Sequence, residues 1–133
     1  HQIHGNISAN LNSVPTWILI AQISQNIAGW SMRGSVVAAS YTCWSIFDIW
    51  CVKQYSSSTV TGGITGLAHD GSFTSALQTV TYGGNTYIAL YFNTANPEID
   101  INWTGYRLNQ TLVNGQFPIV TSGVTNTTTI ASY

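Results

Sequence analysis

The chain has 133 residues, and only 5% of them are charged, against roughly 25% in an average soluble protein. Nucleic-acid backbones are bound mainly by Lys and Arg, so this composition argues against nucleic acid as a partner. No apolar run approaches the roughly 20 residues of a membrane-spanning helix, so we predict no membrane insertion. Polarity comes mostly from Ser, Thr, Asn and Gln, and 12% of the residues are aromatic. Such a surface suits neutral sugars or another polar protein.

The first residues differ from those that follow. Residues 1–12 are rich in Asn and Ser and show no periodicity, which predicts an extended N-terminal arm before a single domain over residues 13–133. Three β-rich runs come next, over Thr16–Ser24, Trp30–Ser40 and Tyr41–Lys53. Gly34 marks a candidate β-bulge in the second run. In the third run, one face carries Trp44, Ile46, Trp50 and Val52, and the other carries Phe47 and Ile49.

A hairpin is the clearest local structure in the sequence. A weaker strand over Val60–Leu67 and a predicted turn at His69-Asp70-Gly71 precede it. The runs Phe73–Tyr82 and Thr86–Phe92 then flank Gly83-Gly84-Asn85, residues that adopt positive φ at little cost, which predicts an antiparallel pair. The second run is apolar on both faces. We therefore expect a core to cover one face and a second sheet or a neighbouring chain to cover the other.

The last third of the chain contains one amphipathic strand, Glu98–Leu108. Its inward side chains are Ile99, Ile101 and Trp103, and its outward ones are Glu98, Asp100, Asn102 and Thr104. Asn109–Tyr133 predicts a last strand around Phe117–Val120 and a mobile tail. No helix is predicted. Seven or eight short strands predict an all-β fold, an antiparallel β-sandwich or jelly-roll-like domain.

The spacing of the two cysteines indicates whether they can form a disulfide. Cys43 and Cys51 are eight residues apart in one predicted strand, which separates them by about 26 Å. A disulfide requires Cα atoms within roughly 7 Å. We therefore predict two free thiols that pack as small apolar groups, and assembly in a reducing compartment.

Signals for hydrolysis are sparse. Glu98 and Asp100 are a close carboxylate pair on one strand face, whereas a glycoside hydrolase needs two carboxyl groups across a cleft, so Asp48 or Asp70 would have to join them. We interpret the pair as solvated charges. Asp48 interrupts an apolar strand, and we expect it to pair with a cation or a tryptophan N–H.

Signals for metal chemistry are equally weak. His1 and His4 could form a metal site. As an N-terminal histidine, His1 could brace copper with its amino group and ring nitrogen, as in the lytic polysaccharide monooxygenases, but His69 would have to supply the distant second histidine, and the other motifs of that family are missing. Three copies of His4 on a trimer axis could also gather a metal. We predict no enzyme activity, no cofactor and no metal site.

Several segments together resemble the C-terminal domains of bacteriophage tail fibres and related prophage proteins. They are Trp17–Ile23, Ala39–Trp44, Tyr87–Tyr91, Asn96–Ile99 and Trp103–Tyr106, in that order. The resemblance spans roughly Trp17 to Leu108. It implies a homotrimeric receptor-binding domain at the distal end of a virion tail fibre, made in the host cytoplasm and joined to an upstream fibre shaft. The arm over residues 1–12 would correspond to the end of that shaft.

The same resemblance implies the partner. Such domains recognise a bacterial surface receptor, often lipopolysaccharide or another glycan and sometimes an outer-membrane protein. Aromatic and polar side chains in or beside predicted turns are the candidate ligand-binding residues, namely Tyr55, His69, Asp70 and Tyr106. A carbohydrate-binding module or lectin acting alone would use the same side chains, and it remains the alternative. A small hydrolase or copper oxidase is a third hypothesis.

Overall fold

The structure is a computed structural model that describes residues 2–11, 15–23, 28–71, 74–94, 97–111 and 118–133. These residues form eleven strands and no helix. The strands are β1 (Gln2–Asn10), β2 (Thr16–Ile23), β3 (Trp30–Ala39), β4 (Trp44–Lys53), β5 (Val60–Asp70), β6 (Ser75–Tyr82), β7 (Asn85–Phe92), β8 (Glu98–Tyr106), β9 (Asn109–Gln110), β10 (Ile119–Val120) and β11 (Thr125–Ser132). None of the described segments is a helix that could span a membrane.

The strands form two antiparallel sheets packed against each other, which confirms the predicted all-β sandwich. Sheet A has the strand order β1-β8-β3-β4-β5. Sheet B has the order β10-β2-β7-β6-β11, and β9 pairs with β2 beside β10. β8 thus lies between β1 and β3, although it follows β7 along the chain.

The core lies between the inner faces of the two sheets. Its largest fully buried side chains include Phe47, Ile49 and Ile101 from sheet A and Ile18, Leu77, Ile88, Leu90 and Phe92 from sheet B. Burying each of these contributes roughly 1.5–3 kcal/mol. β8 alternates as predicted, with Ile99, Ile101 and Trp103 buried between partly or fully exposed neighbours.

The predicted hairpin is confirmed as β6 and β7. Ser75 lies opposite Phe92 and Tyr82 opposite Asn85, so only Gly83 and Gly84 form the connection. Their φ angles are 58° and 82°, which a two-residue hairpin turn of this hand requires at both central positions. Phe73, at the predicted start of the hairpin, lies outside the described residues.

The N-terminal segment is a strand of the sandwich rather than an extended arm. β1 pairs with β8 along its whole length, from Gln2 opposite Tyr106 to Asn10 opposite Glu98. The prediction of an arm was wrong because two of the four inward positions of β1 are Gly5 and Ala9, which hide the alternation. Residues 2–10 therefore belong to the same folded unit as the rest of the described chain.

The C-terminal residues also form a strand, so the predicted mobile tail is wrong. β11 pairs with β6 at one edge of sheet B. The Tyr133 ring stacks on Phe47 with ring centroids 4.8 Å apart, and Ser45 Oγ donates a hydrogen bond to the Tyr133 hydroxyl. This end of the chain therefore ties sheet B to sheet A. On the opposite side of the sandwich, Gln110 Nε2 donates to the His4 carbonyl.

Two local predictions need correction, and one is confirmed. Gly34 lies in continuous register with both neighbouring strands, and the irregularity of sheet A lies instead on β5, where Leu67 is the extra residue opposite Ile46 and Phe47. The predicted turn at His69-Asp70-Gly71 begins later, because the first two residues still belong to β5. Cys43 and Cys51 are free and buried, as predicted.

Candidate functional site

The outward side of sheet A, here called the sheet A face, is built by alternate residues of five strands. Residues opposite each other in an antiparallel pair project to the same side, so the register defines its members. They are Gln2, His4, Asn6, Ser8 and Asn10 of β1; Glu98, Asp100, Asn102, Thr104 and Tyr106 of β8; Ser31, Arg33, Ser35, Val37 and Ala39 of β3; Trp44, Ile46, Asp48, Trp50 and Val52 of β4; and Thr61, Gly63, Thr65, Ala68 and Asp70 of β5.

Five of the seven charged side chains of the molecule lie on this face. Its members include the only four carboxylates of the chain, Asp48, Asp70, Glu98 and Asp100, and one of the three cations, Arg33. Lys53 projects to the inner side of the sheet opposite Trp30. Arg107 follows β8, and its guanidinium carbon lies 5.4 Å from the Tyr106 ring centroid.

The outward side of sheet B, here called the sheet B face, is different in character. It is aromatic and apolar, with Trp17, Leu19, Val80, Tyr82, Tyr87, Ala89 and Tyr91 among its members. Leu19, Val80 and Ala89 form a second buried cluster, against which Val120 and Val124 pack. None of the described residues on this face is charged. The second apolar face of the hairpin is thus covered in part by the chain itself.

Exposed rings distinguish the sheet A face further. Trp44 is 40% exposed, Trp50 42% and Tyr106 44%. An indole normally loses most of its exposure in a folded protein because it carries a large apolar surface. Rings left open on one face are therefore candidates for contact with a ligand or a partner.

The position of Trp50 depends on a glycine in the neighbouring strand. Gly63 lies directly opposite Trp50, and a Cβ atom at Gly63 would lie 2.9 Å from the indole Nε1 and 3.1 Å from Cε2 and Cζ2. The indole therefore leans over the β5 backbone at a place that any larger residue would partly fill. Part of the ring is held by the strand, and the remainder is open to solvent.

A groove of about 660 Å³ crosses the sheet A face beside Trp50. Its lining comes from all five strands and includes His4, Arg33, Ser35, Asp48, Trp50, Thr65, Asn102 and Thr104. A second groove of about 570 Å³ shares Arg33, Trp50 and Thr104 with the first and extends to Val52 and Tyr106. The two grooves offer hydroxyl, amide and charged groups next to an aromatic ring.

Hydrogen bonds fix part of this surface. Ser8 Oγ donates to Asp100 Oδ1 at 2.9 Å, and the Asn6 side-chain amide donates to Asn102 Oδ1. Both bonds cross from β1 to β8, and the second orders Asn102, which lines the groove. Groups held in place before a ligand arrives lose less conformational entropy on binding.

The structure does not gather the four sequence-predicted site residues into one cluster. Tyr106 and Asp70 both belong to the sheet A face, but Asp70 pairs with Trp44 and Tyr106 lies in the row of Ser31 and Val52. Those rows are eight positions apart along β4, about 26 Å of strand. Tyr55 follows β4 at the Tyr106 end and is 73% exposed. His69 precedes Asp70 at the other end.

Sequence reasoning missed Arg33, Asp48 and Trp50 as site residues. The alternation of β4 did predict that Trp44 and Trp50 share a face opposite Phe47, and this is confirmed. The pattern could not tell which of two apolar faces meets solvent, because both carry bulky side chains. The presence of Asp48 in the same alternation as the two tryptophans was the available signal.

Metal binding finds no support in the described part of the chain, where no three His, Cys, Asp or Glu side chains are grouped to hold an ion. His1, which the copper hypothesis requires, lies outside the described residues. No protein family, curated protein or solved structure matches this chain.

Proposed function

We propose that this chain is a non-catalytic receptor-binding domain that recognises a bacterial surface glycan through the sheet A face. One observation carries the proposal: the same face combines three exposed rings, a groove lined by hydroxyl and amide groups, and the four carboxylates. Aromatic rings pack against the C–H faces of sugars, and amides, hydroxyls and carboxylates pair with sugar hydroxyls.

The setting we propose is the distal end of a bacteriophage tail fibre. The resemblance of Trp17–Ile23, Ala39–Trp44 and the segments after them supports this setting. In a homotrimer, three such faces would be presented together. Three shallow and individually weak sites then act at a high effective concentration, so the overall affinity exceeds that of any one site.

Binding to bacterial surfaces tests the proposal. The purified domain is assayed against an array of lipopolysaccharides and capsular polysaccharides and against intact cells. We expect Trp50→Ala to weaken binding roughly 30-fold, because an aromatic anchor in a contact contributes about 2 kcal/mol or more. Tyr41→Ala is the matched control, since Tyr41 is an exposed aromatic residue that does not belong to the sheet A face.

The array and the cells separate the receptor classes. Binding to isolated polysaccharide that Trp50→Ala reduces and Tyr41→Ala leaves unchanged supports the proposal. Binding to cells that persists after their surface polysaccharide has been removed would point to an outer-membrane protein instead. Equal binding by the wild type and Trp50→Ala would contradict a role for this face.

A further inference from the structure

We infer that the groove beside Trp50 binds an internal segment of an extended, uncharged polysaccharide that lies across the strands of sheet A. The inference rests on the proposed function and deepens it, because it gives the ligand class, the direction of the chain and the residues in contact. Four features of the groove support it: its course, its aromatic ring, its row of polar groups and its charge balance.

The course of the groove favours a polymer over a single terminal sugar. Its lining runs from His4 on β1 to Thr65 on β5, and these strands are the two edges of sheet A. Crossing five strands at about 4.8 Å spacing makes the groove about 19 Å long. Both ends lie at sheet edges, so a chain longer than the groove can leave at either side. A site for a terminal sugar would be closed at one end.

The aromatic ring lies near one end of that course. Trp50 projects from β4, and its indole occupies the space over Gly63 on the edge strand β5. A sugar ring crossing from β4 towards Thr65 would pass over the exposed part of the indole. Stacking on an aromatic ring needs no particular hydroxyl arrangement, so Trp50 supplies affinity while the neighbouring polar groups supply selectivity.

Those polar groups are arranged in one row across the sheet. Asn102, Ser35, Asp48 and Thr65 lie opposite one another on successive strands. Together they offer an amide, two hydroxyls and a carboxylate along the direction of the groove. Successive sugars of one chain would therefore meet hydrogen-bonding partners at intervals set by the spacing of the strands.

The charge of the groove favours an uncharged chain. Its lining contains one carboxylate, Asp48, and one guanidinium, Arg33, with His4 as the only other titratable group. Glu98, Asp70 and Asp100 lie on the same face outside the groove. Arg33 and Asp48 balance each other, so the groove offers no net positive charge to an acidic polysaccharide, and the three carboxylates on the surrounding face would repel it.

The test uses neutral O-polysaccharide released from lipopolysaccharide, its hydrolysis products of increasing length, and alginate as an acidic counterpart. We expect affinity to rise about tenfold or more from the monosaccharide to fragments that fill the groove. A tenfold change corresponds to roughly 1.4 kcal/mol, and each added contact contributes a fraction of that free energy. Alginate should not compete with the neutral fragments for binding. Gly63→Ala should lower affinity for the long fragments several-fold, because its Cβ displaces the indole.

Thr61→Ala is the matched control for Gly63→Ala, since Thr61 lies on the same strand and face but does not line the groove. Thr65→Arg provides a second variant at an exposed position, where a long side chain obstructs the groove end without entering the core. It should weaken the binding of long fragments more than that of the monosaccharide.

The outcomes are distinct. A monosaccharide that binds as tightly as the long fragments, or alginate that competes with them, overturns this inference and leaves the proposed function standing. Failure of every polysaccharide to bind overturns the proposed function itself.

Discussion

Glycine and tryptophan are paired at two places in this sandwich. On the outward side, Gly63 leaves room for the Trp50 indole. On the inner side, the space around the Trp103 indole is shared by Gly5 and Gly105. Trp103 Nε1 is buried and has no hydrogen-bond partner among the described residues, which costs roughly 1–3 kcal/mol. Small residues in three strands therefore serve to accommodate two large rings, one for packing and one for the candidate site.

Cys51 gives the folded state a pH dependence at high pH. Burial raises the pKa of its thiol from 9.0 to about 12. The unfolded thiol ionises at the lower value, so the unfolded state binds fewer protons between the two values. The stabilising contribution is therefore complete below about pH 9 and is lost as the pH rises towards 12.

We expect the free energy of unfolding to fall more steeply above pH 9 in the wild type than in Cys51→Ala, by at most about 1.4 kcal/mol per pH unit. Urea unfolding at several pH values measures both slopes. Met32→Leu is a matched core variant, because Met32 lies opposite Cys51 and carries no titratable group; it should keep the wild-type slope. Equal slopes in the wild type and Cys51→Ala would show that the thiol is not responsible.

At the level of residues, the sequence predicted the alternation of the sheet A face but not its use. Asp48, Trp50 and Arg33 come together only because β3 and β4 pair with Arg33 opposite Trp50. The sequence predicted Tyr55 and His69 as site residues instead, because exposed rings are easiest to recognise in turns, where strands end. Register between strands is a tertiary property, and a single sequence gives little information about it.

Among the elements, the hairpin of β6 and β7 was predictable because its turn and its alternation are local. β1 and β11 were not. β1 has Gly5 and Ala9 at inward positions, and half of the residues of β11 are threonine, with Ile130 and Ala131 as its apolar residues. Both strands are edges whose stability comes from partners distant in the chain, β8 and β6. Their own sequences therefore give little indication that they form strands.

β11 and the residue after it close the sandwich at one side, which gives an element-level prediction. Tyr133 stacks on Phe47, accepts a hydrogen bond from Ser45 Oγ, and donates its backbone N–H to the Ser75 carbonyl at 2.8 Å. We expect Tyr133→Ala to lower the free energy of unfolding by about 3 kcal/mol through the lost ring contacts. Tyr133→Phe should cost about 1 kcal/mol, for the hydroxyl alone.

Urea unfolding monitored by tryptophan fluorescence measures both changes. Tyr41→Ala is the control, because Tyr41 is 88% exposed and its removal should leave stability unchanged. If Tyr133→Ala behaves like Tyr41→Ala, the C-terminal strand does not close the sandwich in solution.

The whole molecule has two unlike faces. The sheet A face holds the carboxylates and the exposed rings, whereas no described residue of the sheet B face is charged. A surface without charges avoids the desolvation penalty that buried ions incur in an interface. If the domain is a homotrimer, as the tail-fibre resemblance implies, the sheet B face is the better candidate for contact between protomers.

Light scattering on a size-exclusion column tests the assembly. We expect a mass three times that of the 14.4 kDa chain. Tyr87→Glu should shift the mass towards one chain, because it places a charge on the half-buried sheet B face. Trp50→Ala, on the other face, should leave the trimer intact. A monomeric wild type would contradict the trimeric fibre tip and favour a carbohydrate-binding module acting alone.

The strand order of sheet A also constrains when the protein can fold during synthesis. β1 has no partner in its sheet until β8 has left the ribosome. One edge of β3 also stays unpaired until β8 emerges. A nascent chain therefore carries unpaired edges through most of its translation. Exposed edges of this kind pair readily with other chains. Slow emergence of residues 98–106 would prolong that exposure, so the yield of native protein should depend on how quickly this one strand is translated.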